Sequence, residues 1–341
     1  MKKAIITGLI VSAVMGLTGT ALADPINFNG SFDYQFRNNR DKAFNSYGTR
    51  ERFLVGLNFD GKIDADTTAF GRVAGKIGDW GNAPAGTNDF KLDQFGIKTD
   101  LSGWNVSLGR QGVQLGQGGA FYAGTDIDPV TYFDGIVVKT KFGAADFKAV
   151  AGNTTNGLEQ SALSPRQKWA GAEISGDIAQ NINLGFSYAS KTDSNVTAAN
   201  VVTPGKHYWS AYTAIKTNDS LSWTAEYVKS NASTANRAYD LSGTYSWPKN
   251  SFTVAYNNVQ ANSTDADNSA IGGDYYPNGH GFFDTNKASL GYKGFTYAYH
   301  HDIKKNLGFN LVYLSLKPLN AGAGTTTQTD GEFQANLKWK F

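Results

Sequence analysis

Apolar and polar residues alternate one by one along segments of about ten residues, and the pattern returns throughout the chain after Asp24. Ile26, Phe28, Gly30, Phe32, Tyr34 and Phe36 alternate with Asn27, Asn29, Ser31, Asp33, Gln35 and Arg37. Phe53, Val55, Leu57 and Phe59 do the same against Arg52, Gly56, Asn58 and Asp60, as do Tyr239, Leu241, Gly243, Tyr245 and Trp247 against Asp240, Ser242, Thr244 and Ser246. A period of two places one set on each face of a pleated strand. No comparable stretch has a period of 3.6, so the wall of the fold is all-β. Strands of soluble sandwiches usually run about 5–6 residues, whereas a strand crossing a bilayer at a tilt needs about ten.

Composition supports the bilayer. The chain is 13% aromatic with 39 glycines, and its mean hydropathy of −0.37 is too polar for a helical membrane protein. After the first residues no window approaches the ~20 apolar positions of a spanning helix. A barrel resolves the conflict, because only half of each strand faces lipid. Lys2 and Lys3, the apolar run from Ala4 to Leu17, and Ala21-Leu22-Ala23 before Asp24 read as a secretory signal peptide over residues 1–23, leaving the barrel over 24–341. The two lysines of that leader account for the formal net charge of +2. The remainder is balanced and has no long basic run, so nucleic acid is not an expected partner. With no cysteine, the fold has no disulfide and no thiol chemistry.

The connections alternate in length. Tight ones fall at 60–64, 99–103, 143–145, 176–180, 217–220, 248–250 and 302–306; long polar ones fall at 38–49, 78–89, 112–133, 153–167, 190–206, 229–237, 258–285 and 318–330. One irregularity affects the strand count. The apolar parity flips between Tyr292 and Phe295 across Lys293-Gly294, which predicts a β-bulge inside one long strand over 286–302 rather than a hairpin. The expectation is a transmembrane antiparallel β-barrel of about 16 strands, with short periplasmic turns and long extracellular loops.

The last strand is the most specific signal. Phe333, Ala335, Leu337, Trp339 and Phe341 alternate with Glu332, Gln334, Asn336, Lys338 and Lys340, and the sequence stops on the aromatic. This resembles the terminal strand of Gram-negative outer-membrane proteins, in which the final aromatic is read by the barrel-assembly machinery. Phe333, Leu337, Trp339 and Phe341 are the assembly signal that the resemblance implies. The third long connection, with Gly109-Arg110-Gln111 before it, the run Gly112 to Gly119 within it and Phe133-Asp134-Gly135 after it, resembles the third loop of general porins. That resemblance implies a loop folded into the lumen, a homotrimer, and passage of small hydrophilic solutes through an outer-membrane channel.

A barrel of sixteen to eighteen strands is too wide for inward side chains to fill, so its lumen holds water unless plugged. By alternation Arg37, Arg52, Arg72, Lys76 and Lys98 face inward with further lysines, and Asp33, Asp146, Glu173, Glu226 and Asp240 supply acids. With the third loop inside, Asp126 and Asp128 would oppose the wall arginines, setting a transverse field. Arg110 joins this constriction only if its strand has already ended; by parity it points outward. No Gly-x-Ser-x-Gly or His-Glu-x-x-His motif appears, and an inward His300 in a wet lumen reads as lining rather than as a general base. No enzyme activity, cofactor or metal is expected. Asp265-Ala266-Asp267-Asn268 could ligate calcium but lacks the glycine and distal glutamate of an EF-hand loop. Three functions fit: a passive diffusion porin, a solute-selective porin in which inward Trp169, Tyr208 and Tyr212 stack on a sugar or organic anion, and a closed barrel serving as receptor, adhesin or enzyme.

Overall fold

In the computed structural model the described residues are 25–41, 46–79, 89–124, 127, 131–156, 167–193, 205–265, 269, 291–319 and 330–341. The leader expected over 1–23, Asp126, Asp128 and the run 266–268 lie outside them. The described strands are β1 (Asn27–Asp41), β2 (Ser46–Lys62), β3 (Thr67–Asp79), β4 (Asp89–Leu101), β5 (Trp104–Gln111), β6 (Val113–Leu115), β7 (Phe121–Ala123), β8 (Thr131–Phe142) and β9 (Ala145–Asn156). They continue with β10 (Gln167–Ala179), β11 (Ile182–Asp193), β12 (Lys206–Lys216), β13 (Leu221–Ser230), β14 (Arg237–Trp247), β15 (Asn250–Val259), β16 (Tyr292–Lys304), β17 (Leu307–Pro318) and β18 (Asp330–Lys340). Among the described residues, all but β6 and β7 join one closed antiparallel barrel of sixteen strands, each wall strand paired with its neighbours in sequence. β6 and β7 pair only with each other, inside the third long connection.

Closure joins the two ends of the barrel sequence. β18 pairs with β1, Trp339 opposite Phe32 and Leu337 opposite Tyr34. Gly30 and Phe341 exchange two backbone hydrogen bonds of 3.0 Å. A side chain at Gly30 would sit 2.6 Å from the Phe341 ring, so glycine leaves the slot into which the terminal aromatic folds. The Phe341 ring then lies 5.3 Å from that of Phe32.

The outward set is lipid-facing chemistry. Phe28, Phe95, Leu108, Phe186, Leu241 and Phe252 are all exposed, a cost of about 25 cal/mol per Å² if water were their solvent. Tyr and Trp cluster toward the strand ends, as Trp104, Tyr245, Trp247 and Trp339 do at the turn end. Rings with a polar handle favour the headgroup level. At the tight β2–β3 turn, the Asp64 carboxylate accepts the N–H groups of Asp66 and Thr67, at 2.9 and 2.8 Å. Those bonds hold its carboxyl below the usual aspartate range.

The strand count agrees with the sequence, but the predicted bulge is absent. Pairing runs unbroken through Lys293 and Gly294, from Val259 opposite Tyr292 to Tyr256 opposite Phe295. The parity flips because Tyr292 faces inward, packed on Val228, Ala238 and Val259 and on Val312, Leu314 and Leu316. A real register shift lies elsewhere, between Arg72 and Val73 of β3, where Arg72 faces Gln94 and Val73 faces Leu92. Asp93 is the extra residue.

Candidate functional site

The inward face of the wall is built in two different ways. On β1–β4 it carries charge. Arg72 makes a double hydrogen bond to the bulge residue Asp93 at 2.8 and 2.7 Å, with both side chains buried. Arg37 is ion-paired with the buried Glu332 of β18 at 2.7 Å. Arg52 donates to Gln35, which donates to Asp33, each at 2.7 Å. Taking two charges out of water costs several kcal/mol per ion, so such pairs persist only with good geometry and added hydrogen bonds. The double bond between Arg72 and Asp93 supplies both. Toward the turn end, Asn29, Asn58, Phe70, Gln94 and Lys98 line a cavity of about 530 Å³, with the Lys98 ammonium 4.7 Å from the Phe70 ring.

On β8–β12 the inward face carries an apolar patch. Val137, Val150, Trp169, Ala189 and Tyr208 are buried beneath Val113, Leu115, Phe121 and Ala123 of the third long connection. The Phe121 ring stacks 4.4 Å from Trp169, which lies 5.9 Å from Tyr208. The Trp169 indole N–H donates to Thr154 at 3.1 Å, which satisfies it inside this dry contact.

Polar anchors hold the tip of the same segment. Gly116 donates its N–H to Glu173 at 2.6 Å and Gln117 to Glu226 at 3.1 Å. Ser210 donates to the same Glu226 oxygen. Lys148 donates to the Gln114 carbonyl at 3.0 Å and lies 3.4 Å from Glu173. Gly116 has φ +69°, and a side chain there would lie 2.7 Å from Ser210 Oγ, so the tip needs glycine for both conformation and space. On the other side of the barrel, Ile127 fills the space that Gly56 leaves on β2. Described residues of the segment thus touch inward residues of β13 and of β2. A later connection joins it there: Asp265 is ion-paired with Lys191 at 2.7 Å, and Ser269 donates to the Gly119 carbonyl at 3.2 Å.

No family model and no curated protein matches the chain. Solved structures do. A triple mutant of the Rhodopseudomonas blastica porin matches with a TM-score of 0.55 at 12% identity, over 93% of this chain and all of that one. A second engineered variant of the same porin matches at 0.56 and 13%, and so does a structure reported under asymmetric conductivity of engineered proteins, both with the same coverage. This chain has the porin fold.

Within that porin fold the predicted site residues divide. Arg37, Arg52, Arg72, Lys76 and Lys98 share the inward register. Arg110 does not: β5 runs on through Gln111, so Arg110 stands on the outward set beside Phe95. It pairs there with Asp134 through two hydrogen bonds of 2.7 and 2.8 Å, with its guanidinium 5.1 Å from the Tyr132 ring. Trp169 and Tyr208 are 2% exposed beneath the inner segment, which leaves no ring face for a solute. Asp265, read as a potential calcium ligand, is engaged by Lys191. His300 faces inward opposite Ser251, yet its two ring nitrogens are taken by Asn310 at 2.7 Å and Asp302 at 3.0 Å. Phe333, Leu337, Trp339 and Phe341 stand outward and exposed.

The sequence reading missed Asp93 and did not see Glu173 and Glu226 as anchors. Asp93 had a signal: Phe90 and Leu92, then Phe95 and Ile97, show the same parity flip that was assigned to Lys293-Gly294. For the two glutamates no local signal exists, since their partners are backbone N–H groups 57 and 109 residues away.

Proposed function

We propose that this chain is an outer-membrane porin, a water-filled channel for passive diffusion of small hydrophilic solutes and ions, with segment 112–133 as its constriction. The observation that carries this reading is the division of the lumen. One half of the inward wall is dry and seats the segment, and the other half keeps a charged surface of the kind that lines an aqueous path. With Arg37 and Arg72 held in buried pairs and Glu173 and Glu226 buried against the segment, exposed inward bases such as Lys98 set the field on passing ions. The fold-level neighbours are porins by name. Trp169 and Tyr208, covered by the segment, offer no stacking face to a solute on this path. Removal of residues 1–23, assembly as a homotrimer, and reading of Phe341 by the assembly machinery belong to the same proposal, as does the absence of enzymatic chemistry. The test is planar-bilayer recording of the purified, heat-modifiable protein. Stepwise conductance is expected; a folded protein that gives no channel events overturns the reading in favour of a closed receptor or adhesin barrel.

A further inference from the structure

We propose that the connection leaving β15 clamps the third long connection from the lumen side, so that Asp265 and Ser269 position the constriction and set the largest solute that passes. The inference rests on the channel reading above and adds a second element to its aperture. The connection turns inward as soon as β15 ends. Gln260 donates its N–H to the Arg237 carbonyl and accepts the Arg237 N–H on its side-chain oxygen, both at 3.0 Å. The hydroxyl and the N–H of Ser263 both donate to the Gln260 carbonyl, at 2.5 and 3.0 Å, closing a tight turn. Ser230, a buried inward residue of β13, donates to the Asn262 carbonyl at 2.5 Å. These bonds aim the chain over the lumen.

Two further staples reach the dry patch. Asp265 pairs at 2.7 Å with Lys191 of β11, across β12, β13 and β14 from the strand it left. Lys191 is inward by register, opposite Trp169, and its ammonium lies 5.9 Å from that ring. Trp169 in turn stacks on Phe121 of the third connection. Ser269 donates to the Gly119 carbonyl at 3.2 Å. Gly119 is pressed on the wall from behind, since a side chain there would run into Val228 of β13 and stand 2.8 Å from Glu226. The tip of the third connection is thus held between β13 and Ser269. Glu173 and Glu226 fasten it from the wall side, and Ser269 opposes its lifting into the water path. Burial agrees: Ser263, Asp265 and Ser269 are polar and all buried. Buried polar side chains persist where they are hydrogen-bonded, and two of these three find their partners on the far wall and on the third connection. Asp265 and Lys191 cancel in charge, so the clamp selects by size and leaves ion preference to exposed bases such as Lys98.

The test compares the wild type with the variant carrying Asp265→Ala and Ser269→Ala, both purified as heat-modifiable barrels. Planar-bilayer recording with neutral polyethylene glycols of graded size reads unit conductance and the size cut-off. Proteinase K digestion of the folded protein reads release of the segment between β5 and β8. The variant is expected to conduct more per channel, to admit larger polymers and to be cut faster in that segment. Lys191→Arg, which keeps the pair, should match the wild type in all three. A lower thermal midpoint with the size cut-off unmoved means a merely structural contact and overturns the proposal, as does a lower conductance. If the double variant yields no barrel, Ser269→Ala alone, which removes one hydrogen bond and strands no charge, carries the same expectations in smaller measure. A wild type that gives no channel events sinks the porin reading. Digestion then decides the clamp by itself: faster cleavage in the variant keeps it and equal cleavage removes it.

Discussion

The two halves of the lumen share one sequence pattern and serve opposite physical ends. On β1–β4 the inward positions include Asp33, Gln35, Arg37, Arg52 and Arg72, while on β9–β12 they include Val150, Trp169, Ala189 and Tyr208 beside the anchors Lys148 and Glu173. The first set faces acids, amides and a cavity; the second is covered by β6, β7 and the turn between them. Inward in a wide barrel therefore does not mean wet. The composition of the inward set reports what lies against it, and a patch of buried aromatics on the lumen side marks where the chain has folded back on its own wall.

That contrast can be broken at either half. The largest effect is expected on the charged side. Asp93→Ala strands the Arg72 guanidinium in a buried site and should cost about 3–5 kcal/mol, read as a lower urea midpoint. Adding Arg72→Met should restore most of it; if the single variant is neutral, the pair is not the buried bond described. On the dry side, Leu115→Ala, at a fully buried position, should cost about 2–5 kcal/mol. It should also raise single-channel conductance by loosening the segment, whereas a stability loss with unaltered conductance would separate docking from constriction. Gly56→Leu tests the far end of the segment. It collides with Ile127 and should cost about 1–3 kcal/mol, with a change in conductance but an intact dry half. The smallest effect belongs to Lys98→Glu, in an exposed part of the lumen, worth less than about 1 kcal/mol in stability. Its reversal potential should move toward cations at about 0.1 M salt and converge on wild type near 1 M, where screening shortens to about 3 Å. A shift independent of salt would place Lys98 away from the aqueous path.

Much of the architecture was legible because it is local. Phe28 to Phe36 and Phe333 to Phe341 announce their faces by spacing alone, and the alternation of short and long connections brings an even strand number and a closing pair between β1 and β18. The two parity breaks show where this ends. Leu92 to Phe95 and Tyr292 to Phe295 look alike in sequence, yet one is an extra residue, Asp93, and the other is an apolar residue turned into the lumen. Only the partner strand distinguishes them, since a bulge is a property of a pair. Arg72 shows the same limit: its inward direction was readable, its neutralisation by Asp93 was not.

By itself the sequence determined the period, the faces and the edge that closes the cylinder, because side chains of a pleated strand alternate whatever surrounds them. Which inward residues meet water was decided only by tertiary structure. Gly116 and Gln117 reach Glu173 and Glu226 across 57 and 109 residues of chain, and that return of the segment to the far wall is what dries one half of the lumen and leaves the other charged.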